Sequence, residues 1–306
     1  MKRQLKDFGK SQLARLHRLG LPLGLMILPN HYYTPIADQR RLAATQKYWK
    51  PRAELRGIDL DVARQVAWLE TTVAPFESEY RGNENFKRGM AEGFGPGYGY
   101  IEAQCLHGVV RALKPPRVVE IGSGVSTACT LAALKRNAAE GKPGRVTCIE
   151  PYPSAFLTAN ADIELVASPV EQLDPAWFDQ LEAGDLLFID STHALRPGGD
   201  VAYIYLSVLP RLKPGIIVHI HDIYLPYLYQ REVLETLFQA NETMMLAALM
   251  TGNPHLRMLA ALSQLHYDAP DALKRVFPEY DRHPDDEGLA VGNSGHFPSS
   301  AWLITG

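Results

Sequence analysis

The chain has 306 residues, with 31 lysines and arginines against 34 aspartates and glutamates, for a net charge of −3. A hydrophobic fraction of 46% beside 21% charged residues excludes a disordered chain, and the length suits two ordinary domains or one large one. The balanced charge leaves no global cationic field for a nucleic acid, and the three cysteines (Cys105, Cys129, Cys148) are too few for a disulfide framework or a cysteine-rich zinc site.

In chain order, Lys2, Arg3, Lys6, Lys10, Arg15 and Arg18 precede an apolar run over 19–28. Pro22 and Gly24 break that run, and no small-x-small cleavage site follows it. It is also shorter than the roughly 20 residues of a spanning helix, so no stable membrane insertion is expected. The basic helix with Leu5, Phe8, Leu13 and Leu16 reads as a packed helix with a solvated face; contact with an anionic membrane or a partner is the alternative. The expected location is cytoplasmic.

Residues 1–114 read as a helical cap or lid, with helices at 36–49, from Asp59 to about Phe76, and at 101–113. Between the last two, 93–100 holds four glycines in eight positions and reads as a loop, with Tyr98 and Tyr100 inside it. From Pro115 onward short β-branched runs (Arg117–Ile121, Arg145–Ile149, Ile163–Val166, Asp185–Ile189, Gly215–His221) alternate with helical stretches at 126–138, 153–160, 175–181 and 199–211. This alternation predicts right-handed βαβ units, hence an α/β, doubly wound, mostly parallel sheet over 115–306. A long helix is expected at about 230–250, and Ser300–Leu303 could add a further strand.

The most informative segment is Val118-Val119-Glu120-Ile121-Gly122-Ser123-Gly124-Val125-Ser126-Thr127, where an apolar strand runs through a Gly-x-Gly turn into a helix. Gly122 and Gly124 let a ligand approach the backbone, and the helix start offers unpaired N–H groups. A dinucleotide fingerprint would place a third glycine where Thr127 stands. Glu120 would repel a pyrophosphate but suits a ligand with an amino group or a sulfonium. The next strand ends in Glu150, placed to accept both hydroxyls of a ribose. Together these features point to a nucleoside.

Glu120–Thr127, Glu150 and Leu212-Lys213-Pro214-Gly215 resemble the class I S-adenosylmethionine-dependent methyltransferases. Phe188–His193, Gly198–Val201, His219–Pro226, residues 29–35 (Pro-Asn-His-Tyr-Tyr-Thr-Pro) and Pro298–Leu303 resemble a bacterial subgroup acting on small molecules and sugars. The resemblance implies a strand order of 3-2-1-4-5-7-6, with S-adenosylmethionine over the C-terminal ends of strands one, two and four and S-adenosylhomocysteine as product. It implies Glu120 and Gly122 at the methionine part, with Ser123, Gly124, Ser126 and Thr127 completing that turn. Glu150 would hold the ribose, Ser168, Pro169 and Val170 would flank the adenine, and Tyr98 and Tyr100 would be lid contacts.

Four titratable side chains stand where the transferred methyl should be: Asp190 after the fourth strand, His193 beyond it, and His221-Asp222 at the end of the fifth. In one reading a histidine takes a proton from an acceptor hydroxyl while an aspartate orients it. In the other, Asp190, His221 and Asp222 bind a divalent metal that acidifies the hydroxyl, an arrangement similar to magnesium-dependent catechol O-methyltransferases. Those enzymes carry Asp-Asn where this chain has His-Asp, which leaves room for a softer metal or none. His219 reads as a core histidine and Asp200 as a helix-start carboxylate. Tyr224, Tyr227 and Tyr229, with Tyr32 and Tyr33, could wall an acceptor pocket, and for any single one a place in a packed loop is the plainer reading.

The expected function is therefore O-methylation of a small-molecule or sugar hydroxyl. A nicotinamide-dependent oxidoreductase and a non-catalytic S-adenosylmethionine-binding protein are the rivals. The expected partner is a small-molecule acceptor, with homo-oligomerisation an open alternative.

Overall fold

The computed structural model describes residues 12–31, 34, 36–93, 97–230, 233–234, 236, 239–282 and 297–306. Two compact units are present, Met1–Lys50 and Pro51–Gly306. The helices of 62–113 belong to the unit that holds the sheet.

In the first unit, residues 12–20 are helical and a 3-10 turn follows at Leu21–Leu23. The single helix expected at 36–49 is instead two, Gln39–Ala44 and Gln46–Trp49, broken at Thr45. The Thr45 hydroxyl donates to the Arg41 carbonyl at 2.8 Å, a local bond that competes with regular helix. Of the apolar face expected before residue 20, Leu13 is half-buried and Leu16 is 53% exposed, while Leu5 and Phe8 lie outside the described residues.

The second unit is built on one seven-stranded sheet: β1 Arg117–Ile121, β2 Arg145–Ile149, β3 Ile163–Val166, β4 Leu186–Ile189, β5 Ile217–His221, β6 Leu256–Ala261 and β7 Ser300–Thr305. Its order is β3-β2-β1-β4-β5-β7-β6, as the resemblance implied. The strands β1 to β5 pair in parallel, whereas β7 runs antiparallel between β5 and β6. Nearly every residue of β1, β4 and β5 is buried, which is why these strands read as continuous apolar runs rather than alternating ones.

Alternate strand residues feed two core layers. Val118, Cys148, Phe188 and Trp302 face one layer, with the Tyr100–Leu113 and Val125–Ala139 helices. Val119, Ile149, Leu187, Val218 and Ile220 face the other, with Tyr205 and Leu246. The helix expected over 230–250 is present only at Glu242–Met250; the described residues 239–241 ahead of it are not helical. The stretch 199–211 is a composite of an α-turn at Asp200–Tyr203, a π-segment at Ile204–Val208 and a 3-10 turn at Leu209–Arg211. Residues 175–180 are likewise a 3-10 helix. β6 and the helices Glu84–Ala91, Leu262–Asp268 and Pro270–Val276 add to the expected elements.

Candidate active site

Sheet register converts distant sequence positions into a row. Glu120 pairs with Cys148 on one side and with Phe188 on the other; Phe188 pairs with His219, and His219 with Trp302. One step beyond the strands, Gly122 N donates to Ile149 O at 3.0 Å and Asp190 N to Ile121 O at 2.9 Å. Glu150, Gly122, Asp190 and His221 therefore stand abreast at the carboxyl ends of β2, β1, β4 and β5. That is the point where strand order reverses, the usual ligand crevice of an open α/β sheet.

The β1 turn is shaped by steric necessity. Gly122 has φ +78, and a Cβ there would run into the Asp190 carbonyl oxygen. Below it, Glu120 is 1% exposed, accepts from Ser126 Oγ at 2.5 Å and lies 3.8 Å from Cys148 Sγ. Burial pushes the Glu120 carboxyl up to about 8, against the opposing hydrogen bonds of Ser126 and Thr127. Gly124 N donates to Thr127 Oγ1 at 3.2 Å, and Ser123 Oγ is buried without a hydrogen-bond partner among the described residues. Glu150 accepts from Ser123 N at 3.2 Å and from Tyr152 N at 2.8 Å, and so ties the second strand's end to the turn. Beside it, Glu150 N donates to Val166 O, leading to half-buried Ser168 and Pro169 and buried Val170.

Next to this turn two histidines sit among four carboxylates. His221 Nδ1 is 3.2 Å from Asp190 Oδ1, and its Nε2 is 3.2 Å from Glu102 Oε2 and 3.7 Å from Asp222 Oδ1. His193 Nδ1 lies 2.8 Å from Glu242 Oε2; its Nε2 lies 3.3 Å from Asp190 Oδ1 and 3.5 Å from Asp222 Oδ2. Burial by itself would discharge both rings, but the surrounding carboxylates dominate and raise both histidines well above their ordinary value. For Asp190 burial acts upward, yet His221 and His193 hold it well below the usual carboxylate range. Asp190 is the most open of the six, at 25% side-chain exposure. Both of its imidazole contacts fall on Oδ1, and among the described residues Oδ2 has no hydrogen-bond partner.

Backbone strain marks the same place: His193 has φ +58 and Asp222 φ +52, both left-handed. Each loop is pinned. Asp200 accepts from Thr192 N and Thr192 Oγ1, both at 2.7 Å, while Asn241 N donates to His193 O at 2.9 Å. Ser299 Oγ donates to Asp222 Oδ1 at 2.8 Å. Asp200, expected only to favour a helix start, thus also holds the loop that presents His193.

Other expected positions divide. His219 is a core residue, stacked on Phe188 at 4.3 Å and edge-on to Trp302 at 4.6 Å. Tyr98 is 6% exposed; its hydroxyl lies 3.2 Å from His219 Nε2 and its ring 5.1 Å from His221, so it is packed under the cluster and not displayed on a lid. Tyr100 begins the Tyr100–Leu113 helix with its ring 6.3 Å from Phe86. Tyr224 is buried, Tyr227 and Tyr229 are half-buried, and Tyr227 packs edge-on to Tyr267 at 5.0 Å. Tyr32 and Tyr33 lie outside the described residues. Sequence reading missed Glu102 and Glu242: each stands in the first turn of a helix, where an acid looks like ordinary capping.

Residues 119–223 match a family model described as a methyltransferase domain. No curated protein matches the chain. Among solved structures, it is similar to the S-adenosylhomocysteine-bound methyltransferase PaMTH1 of Podospora anserina, at 15% identity over 92% of this chain and 99% of that one, with a TM-score of 0.39. A provisionally assigned methyltransferase of Thermobifida fusca is 11% identical over 82% of this chain and 96% of that one, TM-score 0.35. A provisionally assigned protein-L-isoaspartate O-methyltransferase of Plasmodium falciparum is 14% identical over 51% and 83%, TM-score 0.27. Likeness at that level is no guide to shared chemistry. The 119–223 match identifies a methyltransferase domain within the chain, and the strand order is the one the resemblance to class I methyltransferases implied.

Proposed function

We propose that this methyltransferase acts on a hydroxyl of a small molecule or sugar, with the Asp190–His193–His221 cluster orienting the acceptor and removing its proton. The observation that carries this reading is the unpartnered Asp190 Oδ2 beside two carboxylate-held imidazoles, one strand from the Gly122 turn. The turn fits the cofactor: a glycine whose Cβ would fill the space, an orphaned Ser123 hydroxyl and a buried acid at Glu120. When bound, S-adenosylmethionine supplies the methyl group on a sulfonium. Glu120 would hold its ammonium, Glu150 its ribose, and Ser168, Pro169 and Val170 its adenine.

In this mechanism Asp190 Oδ2 accepts the acceptor's O–H and so fixes the oxygen's direction. As the oxygen takes the methyl, that same proton leaves Asp190 Oδ2 for the neutral Nε2 of His193, while Glu242 keeps the opposite Nδ1 protonated and the ring in one orientation. His221, held between Asp190 and Glu102, stays cationic and keeps Asp190 ionised. Positioning of this kind supplies most of what an in-line displacement needs. The test is methyl transfer to a panel of hydroxylated acceptors. Asp190→Ala should abolish turnover while S-adenosylhomocysteine binding survives; full activity in that variant would refute the assignment.

A second reading has one specific observation in its favour. The ligand atoms of Asp190, His193 and His221 lie within 4.8 Å of one another. One carboxylate with two imidazoles suits a divalent ion of the manganese-to-zinc series better than magnesium. Such an ion would supply Lewis acidity toward the acceptor oxygen, with Asp222 as a further carboxylate. Loss of turnover on chelation, restored by one such metal, would select this reading.

A further inference from the structure

We propose that residues 12–28, outside the catalytic unit, form a peripheral docking surface for an anionic lipid bilayer. The local structure is a reversal. The helix over 12–20 ends in the Leu21–Leu23 turn, Gly24 takes φ +72, and Leu25 N donates back to Gly20 O at 3.0 Å. His17 Nδ1 lies 3.0 Å from Ile27 O, so the returning strand runs beside the helix. A Cβ on Gly20 would stand 2.8 Å from the Leu25 carbonyl oxygen, which is why the approach requires glycine there.

This reversal gathers apolar side chains without covering them. Leu19, Leu21, Leu23, Leu25 and Met26 are 62%, 50%, 75%, 56% and 67% exposed. A soluble surface rarely leaves so many large aliphatic groups together in water. Charge identifies the occupant. Residues 12–28 carry Arg15 and Arg18 and no acid, in a chain whose net charge is −3. A second copy of this surface would bring like charges together around the apolar patch. An anionic bilayer complements both features, taking the aliphatic groups into its interface and the cations at its phosphates. No helix of the described residues is long and apolar enough to cross a membrane, so the contact is peripheral.

The test is co-sedimentation of the full chain with phosphatidylcholine vesicles, with and without about one third phosphatidylglycerol. Sedimentation with the anionic vesicles alone, reversed by salt, is expected. Each surface cation is worth about fivefold in partition, so Arg15→Ala with Arg18→Ala should weaken it roughly 25-fold. Leu25→Ser with Met26→Ser should also release the protein; an unchanged far-ultraviolet circular dichroism spectrum would show that the helix over 12–20 survives in both variants, and retained S-adenosylhomocysteine binding that the second unit does. Equal partition to neutral vesicles, no partition, or indifference to both variants would overturn the proposal. So would apolar variants that turn a dimer into a monomer in sedimentation velocity without any vesicle binding.

Discussion

Glu120 carries the most direct consequence of burial at the scale of one residue. Burial raises its carboxyl to about 8 from the ordinary 4.5, so the ligand-free protein keeps a proton there at neutral pH. An ammonium held by this group favours the ionised form, so binding must expel the proton. Affinity for S-adenosylhomocysteine is therefore expected to rise as pH increases toward about 8 and to flatten above it. Calorimetry in buffers of different ionisation enthalpy should show proton release, and Glu120→Gln should abolish it. The same raised value makes the ligand-free fold lose stability over the window from 4.5 to about 8, because the unfolded chain has already given up this proton. His193 behaves with the opposite requirement. Its surrounding carboxylates raise it well above its ordinary value, and in the proposed mechanism it must be neutral to act as base, so turnover should climb with pH beyond neutrality. Glu242→Gln removes one of those charges. The acid limb of the rate profile should then move to lower pH, while the maximal rate falls from loss of ring orientation.

Elements matter here through the loops they anchor. The β1 turn works only because Gly122 accepts a left-handed conformation against the Asp190 carbonyl. Gly122→Ala is expected to cost on the order of 3 kcal/mol and to abolish cofactor binding, visible in denaturant melts and calorimetry. Asp200→Ala should behave differently. It releases Thr192 from the start of the following helix and lowers kcat, with S-adenosylhomocysteine affinity nearly unchanged. Strand positions were legible because β1, β4 and β5 are buried on both faces and read as unbroken apolar runs. The edge strand β6 was not: Arg257 is exposed and Met258 and Leu259 are only half-buried, so no such run marks it. The long helix expected at 230–250 rested on scattered apolar positions, and among the described residues it is present at Glu242–Met250.

At the scale of the whole molecule, the division into two compact units falls at Lys50, well before the sheet begins. Every residue assigned here to the cofactor lies in the second unit. The 51–306 fragment is therefore expected to fold and to bind S-adenosylhomocysteine. Ligand at a hundred times its dissociation constant should stabilise the fragment by about 2.7 kcal/mol, measurable as a raised melting temperature. A fragment that melts without cooperativity, or that ignores the ligand, would contradict this.

Local chemistry determined what the sequence by itself disclosed. A strand that meets glycines, an acid at a strand end and aspartates after apolar runs are short-range patterns, and they put Glu120, Gly122, Glu150, Asp190, His193 and His221 on the page. Tertiary structure decided which groups surround them. Glu102 and Glu242 come from helix starts 119 and 49 residues away from the histidines they hold, and nothing near them in the chain separates a capping acid from a buried partner. Register across β2, β1, β4 and β5 brought the site residues into one row, and the neighbouring charged groups then set the charges of Asp190, His193 and His221. The same limit applies at 19–28: the sequence showed an apolar run broken by Pro22 and Gly24, and only the fold showed Leu19, Leu21, Leu23, Leu25 and Met26 left in water.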